Sequence, residues 1–286
     1  MTIQEALQEA RKRLSAVSNS AALDAELLLA HCLQKNRSYL YTWPEKSLNE
    51  QQYVSFNQLL EQRQQGTPIA YLLGYREFWG LNFKVSSATL IPRPETELLV
   101  ELALEKIPLH TACHVIDLGT GSGAIAISIA YERPHAQVIG IDVSTDALTI
   151  AANNAQQYQI NNLKLLQSNW FAALASDACF DLIIANPPYI ANTDPHLEQG
   201  DVRHEPRRAL VSGADGLDDI RWLIDKARDF LKPNAYLLLE HGFDQGQSVT
   251  ALFRQAGYTD IQCVQDLENR DRVSLGKRPS KAAQPR

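Results

Sequence analysis

The sequence predicts an α/β protein with a mostly parallel seven-stranded sheet that ends in an antiparallel C-terminal hairpin, preceded by a small helical bundle and a β-hairpin linker. Three observations support this prediction. From Cys113 onward, apolar runs alternate with amphipathic segments, as in a parallel sheet that carries helices on both faces. The last two apolar runs lie close enough along the chain to pair as a hairpin. The first 66 residues show helical periodicity throughout.

The N-terminal region, residues 1–70, is predicted to form a bundle of three helices. Apolar residues on one stripe define the first helix, and Thr2 followed by Glu5 fits a capping box at its start. Ser47 is the predicted N-cap of the third helix, because Glu50 would complete a second capping box. The second and third helices are predicted over residues 21–33 and 47–65. A small helical region attached to a larger catalytic domain usually binds a macromolecular partner, and we expect that role here.

Residues 71–94 are predicted to be the β-hairpin linker, because aromatic and β-branched residues there are interrupted by Gly74 and Gly80. The second domain is predicted to span residues 95–276. The tail, residues 277–286, is basic and contains proline, so we expect it to be disordered.

The strands of the second domain are predicted from apolar runs that stop at polar residues or glycine. These runs are residues 115–118, 137–141, 163–166, 180–185, 235–240, 260–264 and 272–275. The helices between them are predicted over residues 124–131, 145–158, 217–231 and 247–256. Open α/β sheets bind ligands at the carboxyl ends of their strands, so the side chains that follow these runs are the candidate site residues.

A glycine-rich turn follows the first of these strands, with the sequence Asp117-Leu118-Gly119-Thr120-Gly121-Ser122-Gly123. Glycine lets the backbone approach a ligand closely, and the N-terminus of the next helix favours negative ligand charge. Asp142 ends the second strand, where an acidic side chain typically binds ribose hydroxyls. The spacing Gly119-x-Gly121-x-x-Ala124 also satisfies the dinucleotide fingerprint, so an NAD-dependent oxidoreductase is the alternative from a different class.

The fourth strand stops abruptly at Asn186-Pro187-Pro188-Tyr189. Two successive prolines prevent a helix from starting there and hold the preceding residues extended. The side-chain oxygen of Asn186 and the carbonyl of Pro187 can each accept a hydrogen bond from a planar group that carries an NH2. The ring of Tyr189 can lie against the face of that group. We therefore predict Asn186, Pro187 and Tyr189 as catalytic residues and the whole segment Asn186 to Tyr189 as substrate-binding.

S-adenosylmethionine fits these residues better than NAD. Asp117 is placed to meet a cationic amino or sulfonium group, and Asn169 with Trp170 can bracket an adenine by hydrogen bonding and stacking. A hydride-transfer enzyme has no use for the Asn-Pro-Pro-Tyr segment, whereas an enzyme that methylates an NH2 does. The predicted cofactor residues are Asp117, Gly119, Thr120, Gly121, Ser122, Gly123, Asp142, Asn169, Trp170 and Asn186. No metal site is predicted.

At these residues the chain resembles the class I S-adenosylmethionine methyltransferases and, more narrowly, the HemK/PrmC family of release factor N5-glutamine methyltransferases. The likeness covers nearly the whole chain and includes residues 91–97, 117–123, 142, 186–189, 205–207, 215–217, 257–258 and 266–273. The resemblance implies a Rossmann-like methyltransferase domain that converts S-adenosylmethionine to S-adenosylhomocysteine. It also implies the acceptor, the glutamine of the Gly-Gly-Gln motif in class 1 peptide chain release factors, with docking of the release factor by residues 1–70.

Two related classes of methyltransferase share the Asn-Pro-Pro-Tyr segment. DNA adenine-N6 methyltransferases usually add a basic target-recognition region, which is not evident in this sequence. The ribosomal protein L3 glutamine methyltransferase is more similar, but its glycine turn has cysteine where this chain has Gly119. The resemblance therefore favours the release-factor branch and keeps the other two as alternatives.

Composition sets the remaining expectations. The net charge of −6 argues against stable binding to nucleic-acid phosphates. The four cysteines are far apart and lack C-x-x-C spacing, so we expect small buried residues in a reducing compartment. No apolar stretch is long enough for a membrane span and no signal peptide is evident, so we expect a cytoplasmic protein. We also expect it to be a monomer. Residues 191–214 lack apolar periodicity and predict a solvated loop that contains His196, His204 and Glu205.

Overall fold

The structure is a computed structural model that describes residues 1–280. The chain divides into two compact units by its internal contacts. The first unit comprises Met1–Tyr75 together with Pro195–His204, and the second comprises the remainder. The first unit is thus discontinuous in sequence, because it includes a ten-residue segment from the middle of the chain. Nothing in the local pattern of residues 191–214 indicated this arrangement.

The first unit is helical, as the periodicity predicted. Its helices are α1 (Ile3–Leu14), α2 (Ala21–Leu33), α3 (Arg37–Thr42), α4 (Glu50–Gln64) and α5 (Ile69–Leu73). The capping box of Thr2 and Glu5 at the start of α1 is confirmed. The predicted cap at Ser47 is wrong, because Asn49 caps α4 and Gln52 completes the box. Ser47 instead forms an isolated β-bridge with Thr2.

A buried arginine ties the inserted segment into the first unit. Arg63 of α4 donates a hydrogen bond of 2.8 Å to Asp24 of α2 and another of 2.8 Å to Asp201 of the segment Pro195–His204. Asp24 is also buried and accepts hydrogen bonds from two serine hydroxyls. Both carboxylates are therefore paired with one guanidinium group, which offsets the cost of burying the charges of Arg63 and Asp24.

Among residues 1–280, the strands belong to the second unit, except for Tyr75 at the start of the first strand, and so do the α-helices that follow α5. Its strands are β1 (Tyr75–Phe78), β2 (Leu81–Lys84), β3 (His114–Leu118), β4 (Gln137–Asp142), β5 (Leu163–Gln167), β6 (Phe180–Ala185), β7 (Leu231–Glu240), β8 (Thr259–Gln265) and β9 (Asp271–Lys277). Its helices are α6 (Glu97–Lys106), α7 (Ala124–Glu132), α8 (Thr145–Gln157), α9 (Asp218–Phe230) and α10 (Gly246–Gln255). Strands β1 and β2 form a separate hairpin, so the predicted hairpin exists but is shorter than residues 71–94.

The main sheet confirms the predicted fold class. Its seven strands lie in the order β5-β4-β3-β6-β7-β9-β8. Strands β3 to β7 pair in parallel, whereas β9 runs antiparallel to both β7 and β8. The order reverses beside β3, which places the carboxyl ends of β3, β4 and β6 at the edge where α/β sheets bind ligands.

The sheet is buried on both faces, which explains the continuous apolar runs. Alternate residues of each central strand enter two separate cores. Val115 of β3 lies in the core beneath α6 and α7, whereas Ile116 lies in the core beneath α9 and α10. Strands that pack against helices on both faces need no polar alternation.

The C-terminal region differs from the prediction at one point. Strand β9 continues to Lys277, and the guanidinium of Arg278 donates a hydrogen bond to the carbonyl of Leu231, so the predicted disordered tail begins inside ordered structure. The rest of that predicted tail, residues 281–286, lies outside the described residues.

Cys113 is buried as expected, but Cys179 is exposed. Within residues 1–280, no helix combines the length and apolar character of a membrane-spanning helix.

Candidate active site

A cavity of about 240 Å³ opens at the carboxyl edge of the main sheet. Its walls come from the ends of β3, β4, β5 and β6, which the parallel topology brings together. The predicted site residues that line it are Gly119, Gly121, Asp142, Asn169, Trp170, Asn186 and Pro188. Residues outside the predicted site also line the cavity. They come from two further segments and are Ala88, Thr89, Leu90, Pro206, Arg208 and Ala209.

Four predicted cofactor residues do not line the cavity: Asp117, Thr120, Ser122 and Gly123. The last three support the glycine turn. The hydroxyl of Thr120 donates a 2.6 Å hydrogen bond to Oδ2 of Asp117. The carbonyl of Ser122 accepts a 2.8 Å hydrogen bond from the side chain of Asn154. Gly123 has a φ of +84°, and a Cβ atom there would lie 2.7 Å from Cδ1 of Ile127. Thr120 and Ser122 thus hold the turn by hydrogen bonds, and the absence of a side chain at Gly123 leaves the space that Ile127 occupies.

Asp117 is a buried carboxyl group behind the turn. Its side chain is inaccessible to solvent, and Oδ1 makes no hydrogen bond of ordinary geometry with any described residue. Burial raises the pKa of Asp117 to about 7; hydrogen bonding from Thr120 and the approach of the Ala126 amide lower it, and the charge of Asp142 raises it. A cationic group of a ligand at Oδ1 would supply the missing partner, so this residue fits a ligand that carries an ammonium group.

Asp142 organises the turn from the neighbouring strand. Its Oδ2 accepts a 2.9 Å hydrogen bond from the amide of Gly121, and its Oδ1 accepts a 2.8 Å hydrogen bond from the amide of Ser144. The side chain is half-buried and lines the cavity. Each carboxylate oxygen has a second lone pair, so Asp142 can still accept hydrogen bonds from ligand hydroxyls.

Trp170 forms one wall of the cavity. Its ring lies 3.6 Å from the position that a Cβ atom at Gly119 would occupy. Gly119 has a φ of +77° and Trp170 itself has a φ of +50°. A positive φ in a large residue costs roughly 1–3 kcal/mol and is found most often at functional sites. The arrangement presents an aromatic face beside the glycine turn, where a flat heterocycle can stack.

Asn186 faces the cavity with a defined orientation. Its Nδ2 donates a 3.3 Å hydrogen bond to the hydroxyl of Thr96, and the side chain is half-buried. The other end of the amide, Oδ1, is left to accept a hydrogen bond from a ligand. Pro188 also lines the cavity, whereas Pro187 is buried and does not line it.

Tyr189 is not among the residues that line the cavity. Its ring packs against the core beneath α9 and α10, and its hydroxyl donates a 3.3 Å hydrogen bond to Oε1 of Glu240. Burial, followed by the negative charge of Glu240, raises the pKa of Tyr189 well above its ordinary value. The predicted contact between Tyr189 and a substrate stays a prediction.

Sequence reasoning missed two polar residues next to Asn186. Glu240 ends the apolar run of β7 just as Asp142 ends β4, and that signal could have identified it. Thr96 precedes α6, and only the fold brings it to Asn186. Glu205 was predicted in a solvated loop, but it is buried, where it accepts a hydrogen bond from the Ile91 amide and pairs with Arg93.

Comparison with known proteins gives concordant matches over both units. Residues 5–74 match the family described as PrmC N-terminal domain, and residues 109–268 match the family described as methyltransferase domain. The release factor glutamine methyltransferase of Shewanella oneidensis is 50% identical over 275 residues, which is 96% of each chain. The protein of the same name from Salmonella typhimurium is 48% identical over 277 residues, covering 97% of this chain and 99% of that one.

Solved structures agree on the fold of the second unit. A methyltransferase from Pyrococcus furiosus superposes with a TM-score of 0.53 at 16% identity, covering 70% of this chain and 90% of its own. At that level of identity the likeness concerns the fold alone.

Proposed function

The chain belongs to the release factor glutamine methyltransferase family, and we propose that it methylates N5 of the glutamine in the Gly-Gly-Gln motif of class 1 peptide chain release factors. The observation that supports this most directly is the orientation of Asn186, whose NH2 group is held by Thr96 while Oδ1 remains available at the cavity. An acceptor in that position suits a substrate that approaches with its own NH2 group.

We propose S-adenosylmethionine as the methyl donor and S-adenosylhomocysteine as the product. This cofactor, when bound, supplies an electrophilic methyl group on a sulfonium centre. Asp117 would hold its amino group through the unpartnered Oδ1, and Asp142 would accept hydrogen bonds from its ribose. Asn169 and Trp170 would bind the adenine, with Gly119 and Gly121 allowing close approach. In this proposal Thr120, Ser122 and Gly123 support the turn.

The proposed substrate requires strong positioning. A carboxamide nitrogen is a poor nucleophile, because its lone pair is delocalised into the carbonyl. Oδ1 of Asn186 would accept a hydrogen bond from one N–H group of that amide. The carbonyl of Pro187, which does not line the cavity in the absence of substrate, is the proposed acceptor for the other N–H group. Positioning of this kind can lower a barrier by roughly 7–11 kcal/mol. The same two acceptors would stabilise the positive charge that develops on the nitrogen. Tyr189 would support Asn186 and Pro187 from behind, through its place in the core.

We assign docking of the release factor to the first unit. Every residue proposed for cofactor binding lies after Cys113, so the helical unit is free for another role. The proposed domains are the helical region to about residue 70, the hairpin linker, and the methyltransferase domain from about residue 95. The proposed substrate takes part in translation, which places the protein in the cytoplasm, and we propose that it acts as a monomer.

Incubation with radiolabelled S-adenosylmethionine and three acceptors tests the function. The acceptors are a class 1 release factor, ribosomal protein L3 and duplex DNA. We expect label in the release factor alone, at the glutamine of its Gly-Gly-Gln motif, as located by mass spectrometry. A release factor with alanine in place of that glutamine is the control and should remain unlabelled. Label in L3 or DNA, with none in the release factor, would reject the proposal.

A further inference from the structure

Four aromatic rings form a continuous row from the core of the second unit to the cavity. Phe230 of α9 stacks on Phe171, with the ring centroids 4.5 Å apart. Phe171 stacks in turn on Trp222 of α9, at 6.0 Å. The ring of Trp222 lies 6.5 Å from that of Trp170, which lines the cavity. At these separations aromatic pairs attract each other beyond the effect of the area they bury. Trp222 therefore joins the cavity wall to the core.

The conformation of Trp170 depends on its surroundings. The residue lies in the loop after β5, and its side chain is only half-buried. Its φ of +50° is costly for a large residue and persists only where neighbouring structure holds it. Phe171 follows it directly in the chain, but the ring that meets both Trp170 and Phe171 is that of Trp222. The support for Trp170 thus comes from a helix that is distant in sequence.

Helix α9 is fixed beside the cavity without help from Trp222. Asp219 in its first turn lines the cavity, and Trp222 follows three residues later, so both side chains lie on one side of the helix. The hydroxyl of Ser212 donates a 2.7 Å hydrogen bond to the carboxylate of Asp219 and accepts one of 2.8 Å from its amide. Trp222 is 41% exposed, whereas the core buries four other residues of α9, Ile220, Leu223, Ile224 and Ala227. A change at Trp222 should therefore leave the helix in place.

A tryptophan ring that is already in place lowers the cost of binding a flat heterocycle. A side chain that moves freely in the unbound protein has to be ordered when a ligand stacks on it, and this ordering reduces affinity. Trp222 restricts the ring of Trp170 before the ligand arrives. Trp222 does not line the cavity itself, so its effect on a ligand there passes through Trp170.

We propose that Trp222 is a positioning residue for the methyl donor: it holds the ring of Trp170 where the adenine of S-adenosylmethionine stacks. The proposal rests on the proposed function, because it takes an adenine-containing cofactor as the ligand of the cavity. It adds a residue outside the cavity that sets the affinity for this cofactor.

Calorimetry with S-adenosylhomocysteine and the full-length protein tests this role. Trp222→Ala removes the supporting ring and should weaken binding about three- to tenfold, as expected for the loss of one aromatic pair. Trp222→Phe keeps an aromatic ring and should bind within about twofold of the parent. Phe230→Ala is the matched control, because it removes the ring at the other end of the same row, where Phe230 stacks on Phe171. This control should lose stability but keep the affinity of the parent.

The Trp170→Ala background shows whether Trp222 acts through Trp170. With no ring at position 170, Trp222 has nothing to hold, so Trp222→Ala should change the affinity less than about twofold in that background. An equal loss in both backgrounds would show that Trp222 affects binding by another route and would overturn the proposal. Affinity equal to that of the parent in the single variant Trp222→Ala would also overturn it.

Circular dichroism reports on the two indole rings directly. Rings as close as those of Trp170 and Trp222 couple their electronic transitions and produce a pair of bands of opposite sign. Trp170→Phe and Trp222→Phe should each remove this pair of bands, whereas Phe230→Ala should keep it. The bands should be present in the free protein and persist when S-adenosylhomocysteine binds. Their appearance only on binding would show that the ligand, and not Trp222, positions Trp170. Failure of the parent to bind S-adenosylhomocysteine would instead reject the proposed cofactor.

Discussion

The ionisation of Asp117 links cofactor binding to pH. In the free protein its pKa is raised to about 7 by burial, so the carboxyl group is largely protonated below that pH. A cofactor ammonium at Oδ1 favours the ionised form. We therefore expect S-adenosylhomocysteine to release protons on binding near pH 6, and to bind more weakly as the pH falls from 8 to 6. Calorimetry in buffers of different ionisation enthalpy measures both effects. Asp117→Asn should bind weakly with no such release, and pH-independent binding by the parent would contradict the assignment.

The same carboxyl group should reduce the stability of the free protein at neutral pH. Its pKa is raised from 3.8 when the chain folds, so the folded state binds more protons than the unfolded state between about pH 4 and 7. The Asp117 contribution to the free energy of unfolding thus falls as pH rises through this window. Asp117→Asn removes the burial of a charge and should gain stability relative to the parent, by about 1–3 kcal/mol at pH 8 and by less at pH 5. Urea unfolding at both pH values, without cofactor, provides the comparison.

Asn186 should matter for transfer and little for folding. Asn186→Ala removes a polar group that faces the cavity, and loss of one preorganised contact of this type typically costs ~10²–10³ in turnover. Asn186→Asp keeps an acceptor beside the developing positive charge, so it should retain more activity than Asn186→Ala. Tyr189→Phe should have a mild effect, because the ring still fills the core. Single-turnover rates at saturating cofactor rank these variants. Parent-like activity of Asn186→Ala would exclude this residue from the mechanism.

Local sequence was informative about residues at strand ends and uninformative about their partners. Asn186 and Asp142 could be selected because each follows an apolar run within its own segment. The role of Thr96 depends on a contact with a residue ninety positions away, which no local pattern encodes. Tyr189 could be recognised as part of the segment, but the direction of its ring depends on Glu240 in another strand.

At the level of elements, two glycines of the same turn should differ when changed to alanine. A Cβ atom at Gly123 would lie 2.7 Å from Cδ1 of Ile127 and 3.2 Å from Cβ of Ala151. A Cβ atom at Gly121 would meet nothing within 4 Å, although φ is +55° there. Gly123→Ala should therefore lower the free energy of unfolding by about 1–3 kcal/mol through overpacking and backbone strain. Gly121→Ala should cost about 1 kcal/mol and mainly weaken cofactor binding, because Gly121 lines the cavity.

Urea unfolding and calorimetry with S-adenosylhomocysteine separate these two effects. Equal losses of stability in the two variants would show that overpacking at Gly123 is relieved by movement of α7. Gly74→Ala provides a control for strain alone, since Gly74 has a φ of +79°, lies outside the turn and has open space around its Cβ position.

The strands of the main sheet were predicted to within two residues at each end, except for the start of β7, whereas the short helices were not predicted. Continuous apolar runs identify β3, β4 and β6, because these strands are buried on both faces. Strand β7 begins at Leu231, four residues before the predicted start, because Pro233 and Asn234 interrupt its pattern. Asn234 has a φ of +68°, and Pro233 lacks an amide hydrogen, so the backbone there departs from regular pairing. Helices α3 and α5 are too short to show an apolar stripe.

At the level of the whole molecule, the two units should be separable in function. A shortened chain that begins at Arg76 keeps the β1–β2 hairpin, whose Phe78 and Phe83 lie in the core of the second unit. A start at Ser86 would remove both phenylalanines and destabilise that core. The chain from Arg76 should bind S-adenosylhomocysteine with nearly full affinity, because the cavity residues belong to the second unit.

The same shortened chain should methylate a release factor poorly, since it lacks the proposed docking unit. Calorimetry and single-turnover assays give the two values. Full efficiency in a folded, soluble sample would show that the first unit does not dock the substrate. Asp201→Asn in the complete chain is the control for the inserted segment, because it weakens the ion pair with Arg63 while the helices remain.

The inserted segment Pro195–His204 also sets the order of events during synthesis. The helices of the first unit leave the ribosome early, but Arg63 meets Asp201 only after 126 further residues have followed Tyr75. At roughly 5–20 residues per second, that interval lasts roughly 6–25 seconds. During it the buried guanidinium has one of its two carboxylate partners. The first unit is therefore completed only after strands β3 to β6 of the second unit have been synthesised, and a nascent chain halted before residue 201 should remain sensitive to proteases around Arg63.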